Sequence, residues 1–341
     1  MLKERDICIL IPTYNRPDDI EKTVASLVKE GKLAKIIVLD QSVNEESKKR
    51  IMKLKKKHKF IEYRHYDIKG KNIVLNYALD ELKKKYNLFF LIDDDVEVEK
   101  SFFNNVLKEF NSNEKIIGVG AVDLKDYERF KTTDYSSFRF KIVSGLLAFM
   151  LLPHKENHKF RMLGPYGNTM TPRIEKDVRD CQWIPGFVMC YRNEVFDNYK
   201  IPDRIGYDIS EDIDLSYYVY KKYGSGSLVI PFKVKVNHNY SQVERYADKK
   251  RIFVNHEDHF NFYYRHFPRF IEKLKFVWEL FWINILNIAR VVIKPNKINL
   301  LKLIYLWEAL AYCIKYRKKI QKGESRMFLN SDLSLKEEYK T

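Results

Sequence analysis

Apolar residues fall along this chain in short unbroken runs separated by stretches of helical spacing. ICILI at 7–11, KIIVL at 35–39 and LFFLI at 88–92 read as buried strands, with a shorter strand near 60–64. Between them, Ile20, Val24, Leu27 and Val28 recur at helical intervals over 18–30. A charged helix is predicted over about 44–58, and another over 71–86 with Ile73, Leu75, Ala78, Leu79 and Leu82 apolar. Pro12 and Asn15 mark a turn after the first strand. Strands that alternate with helices and are apolar on both faces predict a mostly parallel sheet covered on both sides. A further strand is expected at 116–122. The mixed stretch 125–180, with LLAFMLL at 146–152, is expected to be a substrate-facing insertion. Ordered pattern resumes over 183–195 and 211–223, and 228–236 reads as a strand before His238.

In such a sheet, ligands bind beyond the carboxyl ends of the strands. Three polar groups fall there: Thr13-Tyr14-Asn15, Asp40, and Asp93-Asp94-Asp95. An acidic run after a strand reads either as a polar turn or as a metal site. Three adjacent carboxylates repel one another, and a hard divalent cation, Mn²⁺ or Mg²⁺, removes that cost. Strand alternation puts Asp93 and Asp95 on one side and Asp94 on the other. The run Glu211-Asp212-Ile213-Asp214 likewise reads as an acidic first helical turn, or as the source of a general base.

The C-terminal third differs in pattern. In 276–293 (FVWELFWINILNIARVVI) the polar residues Glu279, Asn284, Asn287 and Arg290 fall within an arc of about 140°, leaving a broad apolar face. A second apolar stretch runs from Leu300 to Ile314, ahead of Lys315, Arg317, Lys318 and Lys319, with Pro295 and Asn296 between the two. The chain carries a net charge of +16, and Arg269 to Lys322 holds twelve Lys or Arg against three Asp or Glu. Such a segment is either a helical hairpin packed on the main domain or an anchor lying on an anionic membrane. Trp278, Trp282 and the concentration of charge favour the anchor. Basic residues on long aliphatic faces, rather than on a polar groove, argue against a nucleic-acid partner. No charge-free apolar stretch of about 18 residues predicts a spanning helix, and the N-terminus lacks the pattern of a signal peptide. Cys8, Cys181, Cys190 and Cys313 form no metal-type pair, so reduced, buried thiols in a cytosolic protein are expected. A polar tail is expected from about Gly323.

Taken in order, these motifs resemble glycosyltransferase family 2, inverting enzymes of the GT-A fold, and the rhamnosyltransferases among them. The resemblance covers roughly residues 5–265. IPTYNRP (11–17) is similar to the first-strand motif, VLDQS to the strand ending in the Asp that meets the base or ribose, and 93–95 to the D-x-D metal motif. WIPGFVMCYRNEVF (183–196) is similar to the acceptor-side motif, and Glu211-Asp212 to the Glu-Asp pair whose Asp is the base. The implied class is α/β: a GT-A type, Rossmann-like, mostly parallel sheet flanked by helices, with a C-terminal helical extension. It implies a catalytic domain over 1–268, with a nucleotide-sugar half to about 125 and an acceptor half beyond. A basic helical extension (269–322) and the tail (323–341) follow. The resemblance places the donor on Pro12, Thr13, Tyr14, Asn15, Arg16, Asp40, Lys71, Asn76, Asp93 and Asp94. It places the metal on Asp93, Asp95 and His238, the acceptor on Trp183, Gly186, Arg192 and Glu211, and proton removal on Asp212. The sequence departs from the pattern at LDQS, where relatives commonly carry Asp-Asp-Gly-Ser, and in lacking an Arg after Asp214. It also lacks the Q-x-x-R-W of processive synthases, which favours transfer of a single sugar. The implied acceptor is a lipid-linked or cell-surface glycan, and the implied location is the cytoplasmic face of the cell membrane. Two alternatives stay open: a nucleotidyltransferase, and an inactive transferase-like domain serving membrane or nucleic-acid binding.

Overall fold

The computed structural model describes residues 1–31, 34–131, 162–163, 167–169, 174–203, 210–241 and 248–322. The apolar patch at 146–152 and the tail from 323 lie outside the described residues. The first half builds β1 (Ile7–Thr13), α1 (Pro17–Glu30), β2 (Lys35–Asp40), α2 (Glu46–Lys57), β3 (Ile61–His65), α3 (Lys71–Leu82) and β4 (Leu88–Ile92). These four strands are mutually parallel in the order β4-β1-β2-β3. β1, β2 and β4 are apolar runs because both their faces are covered, whereas the edge strand β3 (IEYRH) is mostly part-buried and polar. Cys8, Leu10, Phe89 and Leu91 point to the side packed by Val74, Leu75 and Ala78 of α3. Ile7, Ile9, Ile11 and Phe90 point to the side packed by Ile20, Val24 and Leu27 of α1.

The chain continues with β5 (Val96–Val98), α4 (Phe102–Ser112), β6 (Gly118–Gly120), β7 (Val122–Asp123) and α5 (Leu124–Lys131). The short strands β8 (Met162–Leu163) and β9 (Asn168–Thr169) pair with each other. Beyond them lie β10 (Val188–Arg192), α6 (Glu211–Tyr223), β11 (Leu228–Val229) and β12 (Lys235–His238). The main sheet has the order β11-β6-β10-β4-β1-β2-β3, with β10 antiparallel to both neighbours. Two runs expected as single strands are each divided between sheets. The run 116–122 gives β6 to the main sheet and β7 to a three-stranded sheet, β5-β12-β7. The run 228–236 gives β11 to the first and β12 to the second. Pro231 interrupts the latter, since a proline cannot donate to a ladder. This small sheet carries His238 to the carboxyl end of β4, where β12 runs antiparallel to β5 with His238 opposite Val96.

Four helices end the described chain: α7 (Asp248–His266), α8 (Phe270–Ile293), α9 (Lys297–Lys315) and α10 (Arg317–Gln321). Phe262 of α7 joins the core beneath α6, while Phe253, Phe260 and Tyr263 pack with Phe276, Ala309 and Tyr312 of α8 and α9. Tyr263 stacks on Phe276 with centroids 4.1 Å apart. One face of the α8–α9 hairpin is therefore tied to the domain. The other exposes Phe270, Val277, Phe281, Val292 and, on α9, Trp307. By length and composition α8 is apolar enough to cross a membrane, although Glu279 and Arg290 interrupt it and no charge-free run of about 18 residues occurs. All four cysteines are free and buried.

Candidate active site

The carboxyl ends of β1, β2 and β4 lie side by side, because Thr13 pairs with Asp40 in register and Leu10 with Leu91. The loops leaving them are tied together. Asn15, in the left-handed region at φ 53°, donates its N–H to Ser42 Oγ (2.8 Å), and its Oδ1 accepts from Val43 N. Gln41 Oε1 accepts the Gly70 N–H at 2.6 Å, drawing the loop before α3 alongside. The Lys69 ammonium lies 3.9 Å over the Tyr14 ring.

The three carboxylates after β4 have three different surroundings. Asp93 is part-exposed and accepts from Lys71 Nζ at 2.7 Å. Asp95 is buried, with Oδ1 3.1 Å from His238 Nε2 and Oδ2 accepting the Ser241 N–H at 2.8 Å. Burial opposes ionisation of Asp95, but His238 and then the Ser241 amide hold its carboxyl well below the usual range. Ligand atoms of Asp93, Asp95 and His238 lie within 4.8 Å of one another. His238, tilted between Phe187 and Tyr240, keeps Nδ1 buried with no hydrogen-bond partner. Two hard oxygens and one imidazole with an unused buried nitrogen form a donor set that fits a divalent cation.

Asp94 departs from the expected donor contact. It is buried on the other side, accepting from Thr13 Oγ1 (2.7 Å) and Arg16 Nη1 (2.9 Å). Burial outweighs both partners and lifts its carboxyl to about 6. Asp94, Thr13 and Arg16 together lock the ends of β1 and β4. Pro12 sits inside β1 opposite Leu39, buried rather than facing a ligand. Asp40 is fully buried, accepting from Ser42 N at 2.8 Å and Tyr63 Oη at 2.9 Å.

The first turn of α6 approaches the same place. Lys71 Nζ also donates to Glu211 Oε1 at 2.6 Å, so one ammonium joins Asp93 to the Glu-Asp pair. Burial disfavours that charge, yet Asp93 and Glu211 raise Lys71 well above an ordinary lysine. Asp212 is half-buried, with Oδ2 accepting the Gly186 N–H at 3.0 Å. A Cβ at Gly186 would lie 3.1 Å from that oxygen, tighter than ordinary contact, so a larger residue there requires the Asp212 carboxyl to shift. Burial, and then the Glu211 charge, raise Asp212 above the carboxylate range toward that of a base working near neutrality.

Three expected residues lie elsewhere. Arg192 pairs opposite Leu88, at the far end of the sheet, and donates to the carbonyls of Phe110 (2.7 Å) and Ile116 (2.8 Å). It secures the end of α4, because antiparallel β10 runs away from the site. Asn76 donates to Ile201 O (2.7 Å) and Asp203 Oδ1 (2.6 Å), so its amide braces the segment before α6. Trp183 is buried in the core that α3 and α6 cover. The sequence reading missed the use made of Asp214. It is buried at 1% exposure and accepts from Tyr199, Arg265 and His266. Its only sequence signal was a third acid in one helical turn.

Comparison with known proteins bears on the same region. The family described as Glycosyl transferase family 2 matches residues 8–174. No curated protein sequence matches the chain significantly. Among solved structures, the mannosyltransferase PcManGT from Pyrobaculum calidifontis, in complex with GDP-Man and Mn2+, is similar with a TM-score of 0.52. That likeness covers 97% of this chain and 81% of the other at 13% identity. S. aureus TarS 1-349, in complex with UDP-GlcNAc, has a TM-score of 0.49 over 82% of this chain and 71% of its own, also at 13% identity.

Proposed function

Because residues 8–174 carry a glycosyl transferase family 2 domain and the protein is a glycosyltransferase, we propose that it moves one sugar from a nucleotide-sugar donor to a hydroxyl acceptor with inversion. The observation that carries this reading is the double contact of Lys71, which brings the Asp93 end of the metal-capable set against Glu211-Asp212. Asp93, Asp95 and His238 would hold the cation, whose chemistry is to neutralise charge growing on the leaving diphosphate. An imidazole in the set favours Mn²⁺ over Mg²⁺, and the PcManGT complex with GDP-Man and Mn2+ is consistent with that choice. Lys71 adds a positive charge beside the diphosphate. Asp212 takes the acceptor proton, with its other polar contacts made by backbone amides that hold its orientation. Because the match is to a sugar-transferase family, the nucleotidyltransferase alternative is set aside.

The α8–α9 hairpin is proposed to lie on the anionic cytoplasmic face of the membrane, its exposed apolar face in the lipid boundary and its lysines at the headgroups. The packing of Phe276 against Tyr263 supports a helix lying along the domain rather than leaving it to cross the bilayer. The acceptor is then a lipid-linked or surface glycan, and no nucleic acid is involved. A panel of UDP-, GDP- and dTDP-sugars, screened by nucleotide release and melting shift with and without Mn²⁺, tests the donor reading. Absence of any metal-dependent shift refutes it. Val277→Glu with Phe281→Glu should abolish co-sedimentation with anionic liposomes, and undiminished binding refutes the anchor.

A further inference from the structure

Helix α6 opens after Ser210, whose carbonyl accepts the Asp214 N–H at 3.1 Å. The opening N–H groups of a helix have no intrahelical partner, so the first turn depends on contacts from outside the helix. This turn carries Glu211 and Asp212, and each is gripped from outside the helix, by Lys71 and by the Gly186 amide. The third acid of the turn, Asp214, is held most heavily. Its Oδ1 accepts from Tyr199 Oη at 2.9 Å and lies 3.0 Å from His266 Nε2, and its Oδ2 accepts from Arg265 Nη1 at 2.8 Å. The Arg265 guanidinium lies 5.5 Å over the Tyr199 ring. One turn further on, Tyr217 stacks on Phe267.

We infer that Asp214 is a positioning residue for sugar transfer: bound to Arg265, His266 and Tyr199, it fixes the first turn of α6 so that Asp212 keeps its carboxylate at the Gly186 N–H. This rests on the reading of Asp212 as the base. Residues two apart on a helix point about 200° apart, so Asp212 faces the site while Asp214 faces the end of α7. Holding one side of the turn sets the other. A buried ion network adds little net stability over apolar packing, because desolvation offsets the attraction, but directional bonds to a carboxylate fix geometry. An Asp supplies two oxygens to three donors, whereas an Asn must turn its own N–H groups toward one of them. Lys71 meets this turn through Glu211 but is also held by Asp93, and Asp95 and His238 hold each other outside it, so the contact governs turnover more than donor affinity.

The test uses the full chain with Mn²⁺ and saturating donor, comparing Asp214→Asn, Arg265→Met and Arg265→Lys with Asp212→Asn. A displacement of about 1 Å at reacting groups costs roughly 100-fold in rate, so a partial shift should cost about tenfold or more. Asp214→Asn and Arg265→Met should therefore lower kcat by about tenfold or more with donor KM within about twofold. Arg265→Lys should recover most of the turnover, because it restores a cation opposite Asp214. Normal kcat in Asp214→Asn and Arg265→Met, with Asp212→Asn inactive, overturns the inference. Parallel losses of kcat and donor affinity overturn it too, as does an Asp214→Asn protein that fails to fold while Arg265→Met turns over normally. Retained turnover in Asp212→Asn instead removes the base assignment on which it rests.

Discussion

Replacing Lys71 by Met removes one charge and keeps the side chain's length, and the cost falls unevenly on its two partners. Lys71 Nζ sits 2.7 Å from Asp93 and 2.6 Å from Glu211, whose side chains are 28% and 7% exposed. Asp93 can turn to water, while Glu211 cannot without moving α6. Breaking a buried ion pair by deleting one partner costs about 3–5 kcal/mol. Solvent access at Lys71 and Asp93 reduces this to about 2–3 kcal/mol. For a domain of this size that corresponds to a fall of roughly 5–10 °C in Tm. The pH dependence has a definite sign. Because the folded-state pKa of Lys71 is raised, its contribution is complete below the ordinary lysine value and is lost only as pH rises through the folded value. The gap between wild type and Lys71→Met, followed by thermal unfolding, should thus persist from about pH 6 to about pH 9. Loss of a charge-assisted bond to diphosphate, about 1.5–3 kcal/mol, should also weaken donor binding by roughly 10- to 150-fold. A Tm within about 1 °C of wild type, with unchanged donor affinity, would show that the Lys71 bridge contributes neither to stability nor to donor binding.

Other outcomes follow from the same geometry. Asp212→Asn should reduce turnover by at least about 100-fold while keeping metal-dependent donor binding, measured by nucleotide release and melting shift. Because the folded-state pKa of Asp212 is raised, the native state holds that proton more tightly, and wild-type stability from this group falls as pH rises past the ordinary aspartate value. Asp212→Asn should therefore match or exceed the wild-type Tm above neutral pH. Arg192→Ala removes two bonds to carbonyls at the end of α4 and should cost about 1–3 kcal/mol in denaturant unfolding, with turnover per folded molecule unchanged. His238→Ala should weaken Mn²⁺ binding by about tenfold or more in calorimetry, and an unaltered affinity would exclude it as a ligand.

The strands β1, β2 and β4 were legible because burial on both faces writes a continuous apolar run, and the acids following them mark where such a run must stop. The chemical kinds of residue at the site were likewise legible, from acids at strand ends and an acidic helix start. Their individual uses were not. Asp93, Asp94 and Asp95 are identical in type, but Arg16 and Thr13 turn the middle one inward, while His238 reaches the third only because β12 joins a separate sheet. Arg192 reads as a site residue in a motif beside Gly186, yet antiparallel β10 carries it to the opposite end of the sheet. Nothing local to Asp214 foretells Arg265 and His266, which lie some fifty residues on. Sequence alone determined where apolar faces and charged groups occur, because periodicity is a local property of the backbone. Only the tertiary structure decided which charges meet, because pairing depends on strand order, direction and the packing of α7 against α6.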